Sequence, residues 1–172
     1  QLRRRIGGTV GVHVHLGGAA SDPTFYLRAD ARKLWVQATQ IGDVDVGVDL
    51  LDRDLKAQLT VVGPFADRVA VAADTRVLAD LKRGKFALLP APLRADVDVE
   101  RAHLSALRPW LSGMEPQGEA SVHAVVRGTT TSPIVAVRVS GEKLGLAKWK
   151  SEGGAVVADV AYDNGHVHGQ VE

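Results

Sequence analysis

Residues Gly8–Val36 read GTVGVHVHLGGAASDPTFYLRADARKLWV, and residues Gly118–Leu146 read GEASVHAVVRGTTTSPIVAVRVSGEKLGL. Laid over one another at an offset of 110 positions without a gap, eight of the 29 pairs are identical. They are Gly8/Gly118, Val12/Val122, His13/His123, Gly18/Gly128, Pro23/Pro133, Arg28/Arg138, Lys33/Lys143 and Leu34/Leu144. The apolar residues keep phase too. Val10, Val12, Val14 and Leu16 fall over Ala120, Val122, Ala124 and Val126, and Phe25, Leu27 and Ala29 fall over Val135, Val137 and Val139. A unit repeated along a chain points to modules stacked in an array rather than to a globe built around one active site.

Inside each copy the pattern has a period of two, which is that of a strand with one apolar and one polar face. Thr9–Leu16 puts Val10, Val12, Val14 and Leu16 on one side and His13 and His15 on the other. Phe25–Ala31 makes a second strand. Val44–Leu50 alternates Val44, Val46, Val48 and Leu50 with Asp45, Gly47 and Asp49. Lys56–Val62 and Arg68–Ala73 follow across a Gly63-Pro64 turn, and Phe86–Leu89 and Ala95–Glu100 are further strands interrupted by Pro90 and Pro92. Ala155–Tyr162 and His166–Val171 pair across Asp163-Asn164-Gly165, a strong hairpin signal. The count is ten to twelve strands. Two segments have helical spacing instead: Glu100–Ser112, with Leu104, Leu107 and Leu111 around Pro109, and Thr75–Lys82, with Val77, Leu78 and Leu81. The expected fold is therefore all-β, an elongated and curved antiparallel sheet with one or two short helices. It is read as one continuous array over 1–172, a fragment of a longer protein.

Composition agrees. Hydrophobic residues are 45% of the chain but aromatics only 5%, so the apolar mass is mainly Val, Ala and Leu, and valine suits a pleated surface. Net charge is +1 with the signs interspersed, which gives no electrostatic footprint for nucleic acid. The Arg3-Arg4-Arg5 run reads as a solvated approach to the first strand. No stretch reaches the length of about 18 apolar residues that a membrane helix needs.

The apolar face has two readings, and the sequence leaves both open. Val10, Val12, Val14, Leu16, Phe25, Leu27, Val44, Val46, Val48, Leu50, Val122, Ala124, Val126, Val135, Val137 and Val139 either pack as a buried core or line an open apolar trough. Other motifs carry less. His13/His15 and His166/His168 are i, i+2 pairs that could each contribute two ligands to a zinc, but the repeat partner of His15 is Val125, so the first pair is not part of the unit. Asp43–Asp54 has carboxylates near calcium-loop spacing, but its glycine stands fifth and its twelfth residue is Asp54 rather than Glu. Gly7-Gly8 and Gly17-Gly18 lack the spacing of a phosphate cradle, and neither Ser105 nor Ser121 has a base beside it. Trp35, Trp110 and Trp149 are scattered. No catalytic constellation and no cofactor are expected.

Leu104-Ser105-Ala106-Leu107-Arg108-Pro109-Trp110-Leu111, then Gly118-Glu119-Ala120-Ser121-Val122, Arg127-Gly128-Thr129 and Ser132-Pro133-Ile134-Val135 make a short leucine-rich segment, a glycine opening a long strand, a G-T-x-x-x-P turn and a return strand. This arrangement resembles the TamB family of translocation and assembly module proteins, which belong with the AsmA-like group of the cell envelope. Gly18–Pro23 is similar to a degenerate copy of the same turn. The resemblance implies a long protein anchored in the inner membrane of a diderm bacterium with its body in the periplasm. It also implies a sheet rolled lengthwise into a taco-shaped groove that shields phospholipid acyl chains moving between inner and outer membranes. The implied partners are those acyl chains and an outer-membrane assembly protein, with a further role in outer-membrane protein assembly. The alternative is a structural β-solenoid or adhesin-like array with a dry core.

Overall fold

The computed structural model describes residues 6–36, 39–107, 115–146, 154–163 and 165–172. The Arg3–Arg5 run, Arg108–Ser112, Trp110, Trp149 and Asn164 lie outside the described residues. Eleven strands follow in chain order: β1 (Ile6–Ala19), β2 (Asp22–Val36), β3 (Thr39–Leu51), β4 (Asp54–Gly63), β5 (Ala66–Asp80), β6 (Lys85–Leu88), β7 (Arg94–His103), β8 (Pro116–Thr129), β9 (Ser132–Leu146), β10 (Gly154–Asp163) and β11 (His166–Val171). All pair antiparallel into one sheet, in the order β1-β2-β3-β4-β5-β7-β8-β9-β10-β11, with β6 attached to β5 alone. The sheet is open: β1 and β11 are its outer strands and do not pair with each other.

Short connections enforce this meander. Two-residue loops join β1 to β2 at Ala20-Ser21, β3 to β4 at Asp52-Arg53 and β8 to β9 at Thr130-Thr131. Asp52 and Arg53 both take positive φ, 50° and 69°, the backbone twist that matches two right-twisted strands.

The repeat proves to be a hairpin, and its identities are mostly backbone positions. Gly8 and Gly118 sit at φ 130° and 104°, each where the register slips opposite a lysine at φ 53° (Lys33) or 52° (Lys143). A Cβ on Gly118 would lie 2.5 Å from the Lys143 carbonyl oxygen, so only glycine fits beside this bulge. Gly18 pairs with Pro23 and Gly128 with Pro133, while His13 pairs with Arg28 and His123 with Arg138. The two copies thus share their bulge, their turn flanks and one polar cross-strand pair.

One helical expectation is corrected and the other holds for a single turn. Thr75–Asp80 continues β5 and only Leu81–Gly84 turns, because Val77 and Ala79 alternate into a small cluster with Leu50 while their backbone pairs with Leu88 and Phe86. Glu100–His103 belongs to β7, held to β8 through Ala102↔Ala120 and His103↔Glu119 around a bulge at Arg101, φ 44°. Among the described residues of that segment, the single 3-10 turn Leu104–Leu107 is helical. Cross-strand hydrogen bonding outweighed the helical spacing over Thr75–Asp80 and Glu100–His103.

Candidate functional site: an uncovered apolar face

Register carries the alternation from strand to strand without a break. One row runs Val10, Ala31, Val44, Val61, Val69, Val99, Val122, Val139, Ala158, Val171. The next runs Val12, Ala29, Val46, Leu59, Val71, Val97, Ala124, Val137, Val160, Gly169, and a third Val14, Leu27, Val48, Ala57, Ala73, Ala95, Val126, Val135, Tyr162, Val167. A shorter fourth row begins Leu16, Phe25, Leu50, Leu55. With strands about 4.8 Å apart, ten strands make each full row about 43 Å long.

All sixteen residues named from the sequence lie on this one face. The rest of the rows, among them Ala57, Leu59, Val69, Val71, Val97, Val99 and Val160, come from strands whose alternation was visible but whose facing could not be fixed before the register was known. A slip of one residue anywhere would have turned a strand's valines to the other side.

No second layer packs against this face among the described residues. Among the described residues only Leu50, Ala66, Val77, Ala79 and Ala91 are buried apolar residues, far too few for the core of a chain of this size. Val12 is 56% exposed and Val171 72%, and the row residues of the inner strands are partly open. The accessible surface is 11994 Å², against about 8,100 Å² for a compact protein of the same mass. Two short pieces border the face. At the end where the β1–β2 and β3–β4 loops lie, Val77 and Ala79 of the β5–β6 hairpin pack on Leu50, with Phe25 and Leu55 alongside, so Leu50 is closed off from water. At the opposite end the 3-10 turn walls a hollow of about 630 Å³ lined by Ile41, Val61, Pro64, Phe65, Ala102, Leu104 and Ala106.

The other face is charged and cross-braced. Arg28 grips Asp49 through two hydrogen bonds of 2.9 Å and stacks 4.2 Å from the Tyr26 ring centre. Arg32 binds Asp45 at 2.7 and 2.9 Å, Arg127 binds Asp96 at 2.8 and 3.1 Å, and Arg138 binds Asp159 at 2.7 Å. His123 pairs with Asp98. Hydrogen bonds from the guanidinium groups hold the Asp45, Asp49 and Asp96 carboxyls below their ordinary range. A depressed carboxylate adds stability above its unfolded value and loses it as pH falls through the folded one, so this bracing weakens only in acid. Each pair is solvent-exposed and individually weak. Together they keep this face wet and leave the valine face as the one with unsatisfied apolar area.

The histidine pairs are not brought together: His13 and His15 lie on β1, His166 and His168 on β11, at opposite edges of the sheet. His13 also lies opposite a cation, Arg28. The carboxylates of the calcium-like stretch are engaged by protein groups. Asp45 and Asp49 hold arginines, and Asp43 accepts the Lys33 backbone N–H at 2.8 Å. Set against protein-family models, curated proteins and solved structures, the chain finds no match.

Proposed function

We propose that this chain is a segment of an envelope protein similar to the TamB and AsmA-like group, and that its apolar face is the lining of a groove for phospholipid acyl chains. The observation that carries the reading is the set of uncovered valine and alanine rows, in register across ten strands. Exposing a CH2 group to water costs about 0.8 kcal/mol, so an apolar row about 43 Å long relieves that penalty at every point along it. It is also longer than the half-thickness of a bilayer's hydrocarbon core, about 15 Å, so one chain can be passed along without leaving apolar contact. Small, repetitive side chains favour shielding over selective recognition, as a conduit requires. In this reading the sheet curves around its apolar side, and the β5–β6 hairpin and the 3-10 turn, which border the two ends of the face, support a groove closed at its margins. No chemistry is performed. In this reading the protein works in the periplasm, anchored in the inner membrane, and meets an outer-membrane assembly partner, with no nucleic acid involved.

The test is titration with a fluorescent fatty acid whose emission rises on leaving water. Saturable binding in the micromolar range is expected, with competition by unlabelled phospholipid. Absence of binding by the folded protein would defeat the proposal.

A further inference from the structure

The β5–β6 hairpin carries a surface that the apolar rows do not explain. Its turn reads Leu81-Lys82-Arg83-Gly84 and runs into Lys85-Phe86-Ala87-Leu88. Leu81 is 57% exposed, Phe86 67% and Leu88 60%. Lys82, Arg83 and Lys85 are exposed among them. The one acid between Val77 and Leu88, Asp80, is buried and already engaged, accepting the Arg83 backbone N–H at 3.1 Å and meeting the Arg83 guanidinium at 3.5 Å. Three cations therefore stand against one sequestered carboxylate, in a chain whose net charge is only +1.

The ribbon is fixed at its base. The Leu81 N–H donates to the Ala20 carbonyl at 2.7 Å, the Val77 N–H to Arg53 at 2.8 Å, and the Leu89 N–H to Arg76 at 3.0 Å. Val77 and Ala79 are buried on the sheet, while Leu88 and Phe86, directly opposite them on β6, remain exposed. Large apolar side chains held rigidly beside lysine and arginine are poorly placed in water. They suit a lipid–water boundary, where the apolar groups enter the acyl region and the cations meet phosphate.

We infer that the tip of this hairpin docks on an anionic lipid surface. The inference goes beyond the acyl-chain reading and does not rest on it, since it concerns residues outside the three long rows. The experiment is flotation of the protein with vesicles of phosphatidylcholine alone or of phosphatidylcholine with phosphatidylglycerol. Binding is expected only to the anionic vesicles, falling with salt. Each cation is worth about fivefold in affinity, so Lys82→Glu/Arg83→Glu/Lys85→Glu should lose about a hundredfold or more. Phe86→Ser/Leu88→Ser should also weaken binding, by about tenfold or more. Both sets of residues are exposed, so circular dichroism and melting temperature should stay as in the parent chain. The charge-reversed hairpin variant should capture the fluorescent fatty acid as the parent chain does, so the two proposals can fail separately. No vesicle binding, equal binding to phosphatidylcholine alone, or full binding by the folded charge-reversed variant would each overturn the assignment.

Discussion

Val46→Asp is expected to leave the protein folded while reducing capture of the fluorescent fatty acid by about tenfold or more. Val46 lies in the second row, between Ala29 of β2 and Leu59 of β4, and is only half-buried. A carboxylate there still reaches water in the lipid-free protein. The loss in stability is then about 1–2 kcal/mol, from poorer strand preference and the apolar contact removed. An acyl chain laid along the row, by contrast, would have to strip water from a charge. A dry-core protein would behave in the opposite way: burying an unpaired carboxylate costs several kcal/mol and would unfold the chain. Thermal melting and fatty-acid titration on the one variant therefore separate the two readings.

Gly42→Val is expected to be the most damaging single change to the sheet itself, lowering stability by about 3 kcal/mol or more and the melting temperature by about 10 °C. Gly42 is buried at the start of β3 with φ +107°, and a Cβ there would fall on the Val62 carbonyl oxygen and lie 2.6 Å from the Gly63 Cα. β3 and β4 pass so closely at this point that neither can carry a side chain toward the other, and a β-branched residue tolerates positive φ worst of all. Gly145→Ala is the matched control, since Gly145 has open space where its Cβ would go and no positive φ. It should shift the melting temperature by no more than a degree or two. An unchanged melting curve for Gly42→Val would mean that β3 and β4 do not meet as described.

Much of this architecture was legible because period two is a direct physical signature. Val10, Val12, Val14 and Leu16 alternate with His13 and His15 since one side of β1 lies beside Ala31, Ala29, Leu27 and Phe25 and the other meets water and Arg28. The Gly8/Gly118 and Lys33/Lys143 identities were visible as letters, but their meaning, a bulge with paired left-handed residues, became readable only with the backbone in place. The helical expectations gave way only where strand partners decide. Glu100–His103 and Thr75-Arg76 extend strands because β8 and β4, remote in sequence, pair with them, partners that local spacing does not register; Val77–Asp80 pairs with the adjacent β6, and the spacing of Leu104 and Leu107 does give a 3-10 turn. The same limit hid the inner rows. Val71 and Val97 alternate as clearly as Val12, yet nothing local says that they share its face; only the chain of registers does.

The uncovered face also connects two features that would otherwise be unrelated, the scarcity of aromatics and the density of arginine–aspartate pairs. A packed sandwich of this width would need large side chains to meet in the middle. A face left open needs only to be apolar and even, and the strength of the opposite face then helps to hold the sheet's shape without a second layer behind it.

The most direct test of an open, lipid-accessible face is photo-crosslinking in bacterial cells, with a photoreactive residue placed at Val12, Val46 or Ala124 and at His13 or Asp45 on the opposite face. All three apolar positions belong to one row, on β1, β3 and β8. The account predicts phospholipid adducts at Val12, Val46 and Ala124 and none at His13 or Asp45. Folded, abundant protein without lipid adducts at the three row positions, or with equal adducts on both faces, would contradict it.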